Sequence, residues 1–135
     1  MALQLLIVDD SPAMRSFIRR VVQLSGMEVE RYFEAGNGEE GLSVLSQNTV
    51  DAVLTDINMP VMDGEQFVRQ MRAAEQTAAL PVIVISTDAT ANRVHTMQSL
   101  GALGYLQKPF GPDQLRNELE RVLGAGMVEA EAHHE

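Results

Sequence analysis

Short apolar runs of strand length alternate five times with amphipathic stretches of helix length, and no other feature restricts the fold as much. The runs are Leu5–Val8, Val29–Phe33, Asp51–Asp56, Val82–Ile85 and Leu103–Gln107. Val82-Ile83-Val84-Ile85 is wholly β-branched, which favours a strand over a helix. A fully buried parallel strand reads as such a continuous run, whereas the charges at Glu28, Glu30 and Arg31 place the second run nearer a sheet edge. Strand and helix in regular alternation predict an α/β fold, a doubly wound parallel sheet with helices on both faces.

The intervening stretches carry helix punctuation. Ser11 stands as N-cap with Pro12 at the first helical position, and Met14, Phe17, Ile18, Val21 and Val22 form an apolar face ended by Gly26. Asn37-Gly38-Glu39-Glu40 resembles a capping box before Leu42 and Leu45, and Asp63 with Gln66 resembles another before Phe67, Val68 and Met71. Thr90 or Thr87 caps a helix with Val94, Met97 and Leu100 on one face, and Pro112 opens a last one burying Leu115, Leu119 and Val122. Residues 1–124 read as one domain, and 125–135 as an acidic, flexible C-terminal tail.

Composition removes several classes. Without cysteine, neither a disulfide frame nor a thiolate metal site exists. No apolar run approaches the ~20 residues of a membrane span, and Met1-Ala2-Leu3-Gln4 lacks the basic start of a signal peptide, so a cytoplasmic location and no membrane insertion are expected. A net charge of −9, with nine scattered arginines and one lysine, argues against direct nucleic-acid binding. Eight methionines fall mostly on predicted inner helix faces and read as core.

In an open α/β sheet, ligands bind beyond the carboxyl ends of the strands. The strand ends here deliver Asp9 and Asp10, Asp56, Ser86 and Lys108 to one rim. Each has an ordinary alternative: Asp10 as a helix-start acid, Ser86 as a hydroxyl satisfying loop backbone, Lys108 as a solvated cation. Jointly they suit one chemistry. Gathered carboxylates repel unless something positive sits among them, and a hard divalent cation with oxygen ligands fits. A carboxylate can attack phosphorus to form an acyl phosphate, while a lysine and a hydroxyl neutralise the remaining phosphoryl oxygens.

Four stretches carry a family resemblance: Leu6-Ile7-Val8-Asp9-Asp10-Ser11, Thr55 through Gly64, Ile85-Ser86-Thr87-Asp88-Ala89 and Gly101 through Phe110. Together they resemble the receiver domain of two-component response regulators, in particular the single-domain chemotaxis type. The resemblance implies a flavodoxin-like five-stranded sheet in the order 2-1-3-4-5 with five helices. It makes Asp56 the phosphoacceptor. Asp10 and Asp56 then supply carboxylates to Mg2+ (with Mn2+ able to substitute), Asp9 helps directly or through water, and Asn58 gives its backbone carbonyl. Ser86 takes the Ser/Thr switch position, Tyr105 the aromatic switch position, and Lys108 binds the phosphoryl group. A cis peptide bond is implied between Lys108 and Pro109. Asn58 and Asp88 occupy positions that tune autodephosphorylation.

The resemblance also implies partners. A histidine kinase or histidine phosphotransfer protein donates the phosphoryl group. No output domain follows within the sequence, so a separate output protein is expected to dock on the face built from the fourth helix, fifth strand and last helix, with His95, Gln98 and Gln107 on or near it. The protein is expected not to be an enzyme beyond Mg-dependent self-phosphorylation from small donors and slow autodephosphorylation. The competing reading is a haloacid-dehalogenase-like phosphatase, which needs a second acid two residues after the nucleophile. Asn58 stands there, and there is no room for a cap. A flavin or nucleotide binder lacks its Gly-rich loop, since Asp9-Asp10-Ser11-Pro12 follows the first strand.

Overall fold

The computed structural model describes the backbone of residues 2–134 and the side chains of residues 2–124. The strands are β1 (Leu3–Val8), β2 (Val29–Ala35), β3 (Ala52–Thr55), β4 (Val82–Ser86) and β5 (Gly104–Gln107). The helices are α1 (Pro12–Leu24), α2 (Gly38–Gln47), α3 (Gly64–Ala73), α4 (Ala91–Leu100) and α5 (Pro112–His134). All pairings are parallel, in the order β2-β1-β3-β4-β5. The flexible tail expected at 125–135 falls on residues whose side chains lie outside the described set.

Period-two alternation divides the buried residues into two cores. Leu5, Ile7, Leu54, Ile83 and Ile85 face α1 and α5, meeting Ile18, Val21, Val22, Leu115, Leu119 and Val122. Leu6, Val8, Val53, Val82 and Val84 face the other side, against Phe67, Val68 and Met71 of α3 and Met97 of α4. Each fully buried side chain of this size contributes on the order of 1.5–3 kcal/mol before entropy is charged against it.

Local signals place most helix ends. Ser11 Oγ accepts the Met14 N–H, and Asp63 and Gln66 form a reciprocal capping box. Thr90, rather than Thr87, caps α4, and Gly101 closes it at φ 115°. The box expected at α2 differs: Asn37 accepts the Glu40 N–H, but Glu40 reaches past the cap to the Gly36 N–H. Phe17, expected in the core, is 45 % exposed and packs edge-on against Phe110. In α4 only Met97 is fully buried, and Val94 and Leu100 stay half-buried.

The loop between β3 and α3 is the most constrained backbone. Gly64 donates its N–H to the Ile57 carbonyl at 2.7 Å, and a methyl there would stand 2.4 Å from the Asp56 carbonyl oxygen. Within the same loop Val61 is held at φ 66°, a left-handed conformation that opposes its branched Cβ. Gly64→Ala is expected to destabilise by about 1–3 kcal/mol, whereas Val61→Gly should stabilise by about 1 kcal/mol. Urea midpoints moving in these opposite directions at unchanged slope are the check.

Candidate functional site

Because every strand runs the same way, the carboxyl ends of β1, β3, β4 and β5 share one rim. Asp9, one residue past β1, is 2 % exposed, Asp10 beside it is exposed, and Asp56 follows β3 half-buried. One carboxylate oxygen from each lies within 4.8 Å of the others. Lys108, one residue past β5, brings Nζ to 3.3 Å from Asp9 Oδ2 and 3.5 Å from Asp56 Oδ2. The Lys108–Pro109 peptide bond is cis.

The two inner carboxylates are held differently. Asp9 Oδ1 accepts the Ser11 N–H at 2.9 Å, which fixes it at the start of α1. Asp56 Oδ1 accepts the Ile57 N–H at 2.7 Å, which orients the group and leaves Oδ2 toward Lys108. Burial raises the pKa of Asp56, and the neighbouring Asp9 charge adds to that. The Ile57 N–H and Lys108 oppose it without cancelling it. One lysine among three acids leaves negative charge uncompensated. Three hard oxygen donors converging at one rim, one of them from the buried Asp9, fit a small divalent cation such as Mg2+.

Ser86 ends β4 with its side chain buried, and its carbonyl accepts the Lys108 N–H at 2.8 Å. Its hydroxyl accepts the Asp88 N–H at 3.1 Å. Tyr105, on β5, is half-buried with its hydroxyl donating to the Asp88 carbonyl, and desolvation raises its pKa. The Asp88 carboxylate is taken up by the Thr90 N–H and hydroxyl at 3.1 and 2.9 Å, which lower its pKa. The side chain of Asn58 is exposed in the loop after Asp56. His95, Gln98 and Gln107 are exposed, on α4 and β5. Beside the rim, Met14, Phe17, Thr87, Lys108, Pro109 and Phe110 line an apolar groove of about 350 Å³.

Sequence reasoning missed two supports. Arg15 donates from Nη1 to the Asp9 carbonyl at 2.6 Å and pairs with Glu34 of β2 at 3.0 Å, bracing the acid-bearing turn. Its place four residues after the Ser11 cap, one turn on and facing back along the helix, was the available signal. Arg93 on α4 pairs with Glu65 on α3, and its Nε lies 3.7 Å from Asp88 Oδ2. Glu65 and Arg93 stand 28 residues apart, and no local pattern announces them.

The sequence profile of the response regulator receiver domain matches residues 5–120. A chemotaxis protein CheY homolog of Campylobacter jejuni is 36 % identical over 131 residues, covering 96 % of this chain and 99 % of that one. The chemotaxis response regulator CheY4 of Vibrio cholerae superposes with a TM-score of 0.79 at 34 % identity, covering 90 % of this chain and 99 % of its own. The receiver domain of a sensor histidine kinase from Pseudomonas aeruginosa, solved with a magnesium ion coordinated in its active-site cleft, gives 0.80 at 27 % identity, with 92 % and 99 % covered.

A carboxyl whose folded pKa lies above its unfolded value stabilises fully below the unfolded pKa and loses that contribution as pH rises through the folded one. Ionised Asp56 therefore weakens the metal-free fold at neutral pH. Asp56→Asn is expected to raise the unfolding midpoint at pH 7 in chelator, with the gain shrinking as pH falls toward 4. In wild type, Mg2+ at about 100 times its Kd should add about 2.7 kcal/mol, and Asp10→Asn should need more Mg2+ for the same rise. Denaturation curves with and without the ion measure both.

Proposed function

Because the chain belongs to the response regulator receiver family, a family of phosphorylation-activated signalling switches, we propose that Asp56 is the residue phosphorylated. The observation that carries this is the pairing of an oriented, half-buried Asp56 carboxylate with Lys108 and two further acids at one strand rim. The donor is a phosphohistidine on a kinase or phosphotransfer protein, docking over the rim where the apolar groove of Phe17 and Phe110 adjoins it. An Asp56 carboxylate oxygen bonds to phosphorus as the donor's P–N bond breaks, and the departing imidazole takes up a proton. The result is an acyl phosphate on Asp56.

Asp9, Asp10 and Asp56, with the Asn58 backbone carbonyl, would hold Mg2+. When bound, the ion supplies positive charge against the incoming phosphoryl oxygens. Lys108 supplies the second charge, already aimed between Asp9 and Asp56. The same rim accepts small phosphodonors. The Asn58 amide, exposed beside the acceptor, orients the water that later hydrolyses the acyl phosphate, giving a lifetime of seconds to minutes. An amide at this place, where an aspartyl phosphatase of the haloacid-dehalogenase type needs an acid, supports a slow switch.

Phosphorylation offers Ser86 and Lys108 new acceptors. Ser86 then gives up the Asp88 N–H, and Tyr105 loses its fixed acceptor on the Asp88 carbonyl and turns inward. The face of α4, β5 and α5 changes shape, exposing His95, Gln98 and Gln107 to a separate partner in a new arrangement. Coupling of about 1–3 kcal/mol would change that partner's affinity roughly 5- to 150-fold. The match to chemotaxis proteins supports a chemotaxis pathway. Among the described residues no helix is long and apolar enough to cross a membrane, and we place the protein in the cytoplasm.

Incubation with acetyl phosphate and Mg2+ is expected to add one phosphoryl group, seen by intact mass, and Asp56→Asn should abolish it. An undiminished adduct on that variant would overturn the assignment. Lys108→Ala should still be labelled, more slowly, but lose at least about fivefold of the phosphorylation-dependent gain in partner binding.

A further inference from the structure

We infer that the ion pair between Glu65 and Arg93 positions Ser86, by clamping the loop from Thr87 to Thr90 in its resting arrangement. The inference rests on the reading of Asp56 as the acceptor and of Ser86 as the residue that moves.

Asp88 is the hub of that loop. Its N–H donates to Ser86 Oγ at 3.1 Å, its carbonyl accepts the Tyr105 hydroxyl, and its carboxylate accepts two bonds from Thr90. A move of Ser86 toward the rim must break the first bond and disturb the second. Arg93 lies in the first turn of α4, with Nε 3.7 Å from Asp88 Oδ2 and Nη1 on Glu65 Oε1. Glu65 is anchored independently of the loop. It follows Gly64, whose N–H is bonded to the Ile57 carbonyl one residue past Asp56. The clamp therefore runs from the acceptor loop through α3 and Arg93 to Asp88.

The pair's side chains are 30 % and 27 % exposed, so water screens them less than a free surface pair. The apolar contacts of α4 offer little competing restraint, since only Met97 of that helix is fully buried. A single half-buried ion pair can then shift the resting population by up to about fivefold.

The experiment labels tyrosine with fluorine in the full chain carrying Tyr32→Phe, which leaves Tyr105 as the one tyrosine. Its resonance is followed in resting protein, and the acetyl phosphate labelling rate is measured alongside. Arg93→Met and Glu65→Gln should each move the resting resonance and speed labelling by up to about fivefold. Arg93→Lys should recover much of the wild-type behaviour, and the exchanged pair Glu65→Arg with Arg93→Glu should recover part of it. Resting resonance and rate unchanged in both single variants would overturn the clamp. So would shifts that neither Arg93→Lys nor the exchanged pair recovers, because these would report a general loss of packing. The resting resonance is read without phosphorylation. Failure of the clamp is thus separate from failure of the acceptor reading, which shows as a wild-type chain that takes up no phosphoryl group on Asp56.

Discussion

The shared Lys108 contact with Asp9 and Asp56 is the interaction on which the rest of the molecule depends. Two carboxylates are drawn out of water at the ends of neighbouring strands, and one ammonium group stands between them. Burial disfavours the charged form of Asp56, and the neighbouring Asp9 charge adds to it. Such a site gains by accepting a cation, and its lysine is free to follow whichever negative charge is strongest. Lys108 is also tied through its backbone N–H to the Ser86 carbonyl. A redistribution of charge at Asp56 therefore has a short mechanical route to the end of β4.

The sheet supplies rigidity where that site needs it. β1, β3 and β4 are buried on both faces, and the two cores packed on them fix the strand ends against each other. The loops that leave those ends are held by fewer and more polar bonds. Local opening favours segments of this kind. Asp9 and Asp56 accordingly sit on backbone braced by Ser11, Ile57, Arg15 and Gly64. Ser86 leads into a loop in which Asp88 gathers several of the hydrogen bonds and a weak ion pair.

Sequence made legible whatever is encoded within a few residues. The apolar runs located the strands to within a residue or two, and Ser11, Asp63 and Gly26 mark helix ends because capping acts over three or four positions. Strand ends and parallel topology then brought Asp9, Asp10, Asp56 and Lys108 together as expected. What stayed hidden depends on tertiary placement. Phe17 continues an apolar helix face but stays 45 % exposed, with its ring edge-on to that of Phe110. Glu40 accepts from the Gly36 N–H and from the Asn37 side-chain amide instead of from the backbone N–H of its cap. Val61 shows no sign in sequence of its left-handed backbone, which accompanies a tight turn closed by the Met62 N–H on the Pro60 carbonyl.

The same distinction bears on how such a switch acquires its set point. The reacting groups are confined by chemistry to a few residue types at strand ends, so they leave little room for adjustment. The restraints on Asp88 are not so confined. Glu65 and Arg93 touch neither Asp9, Asp10 nor Lys108, and each could be exchanged without altering an acid at the rim. A half-buried ion pair has a suitable strength for this role, since it biases an equilibrium severalfold and is too weak to lock it. Chemistry fixed at the strand ends and balance set by pairs between neighbouring helices are therefore separable, and the fold keeps them in different parts of the same loop system.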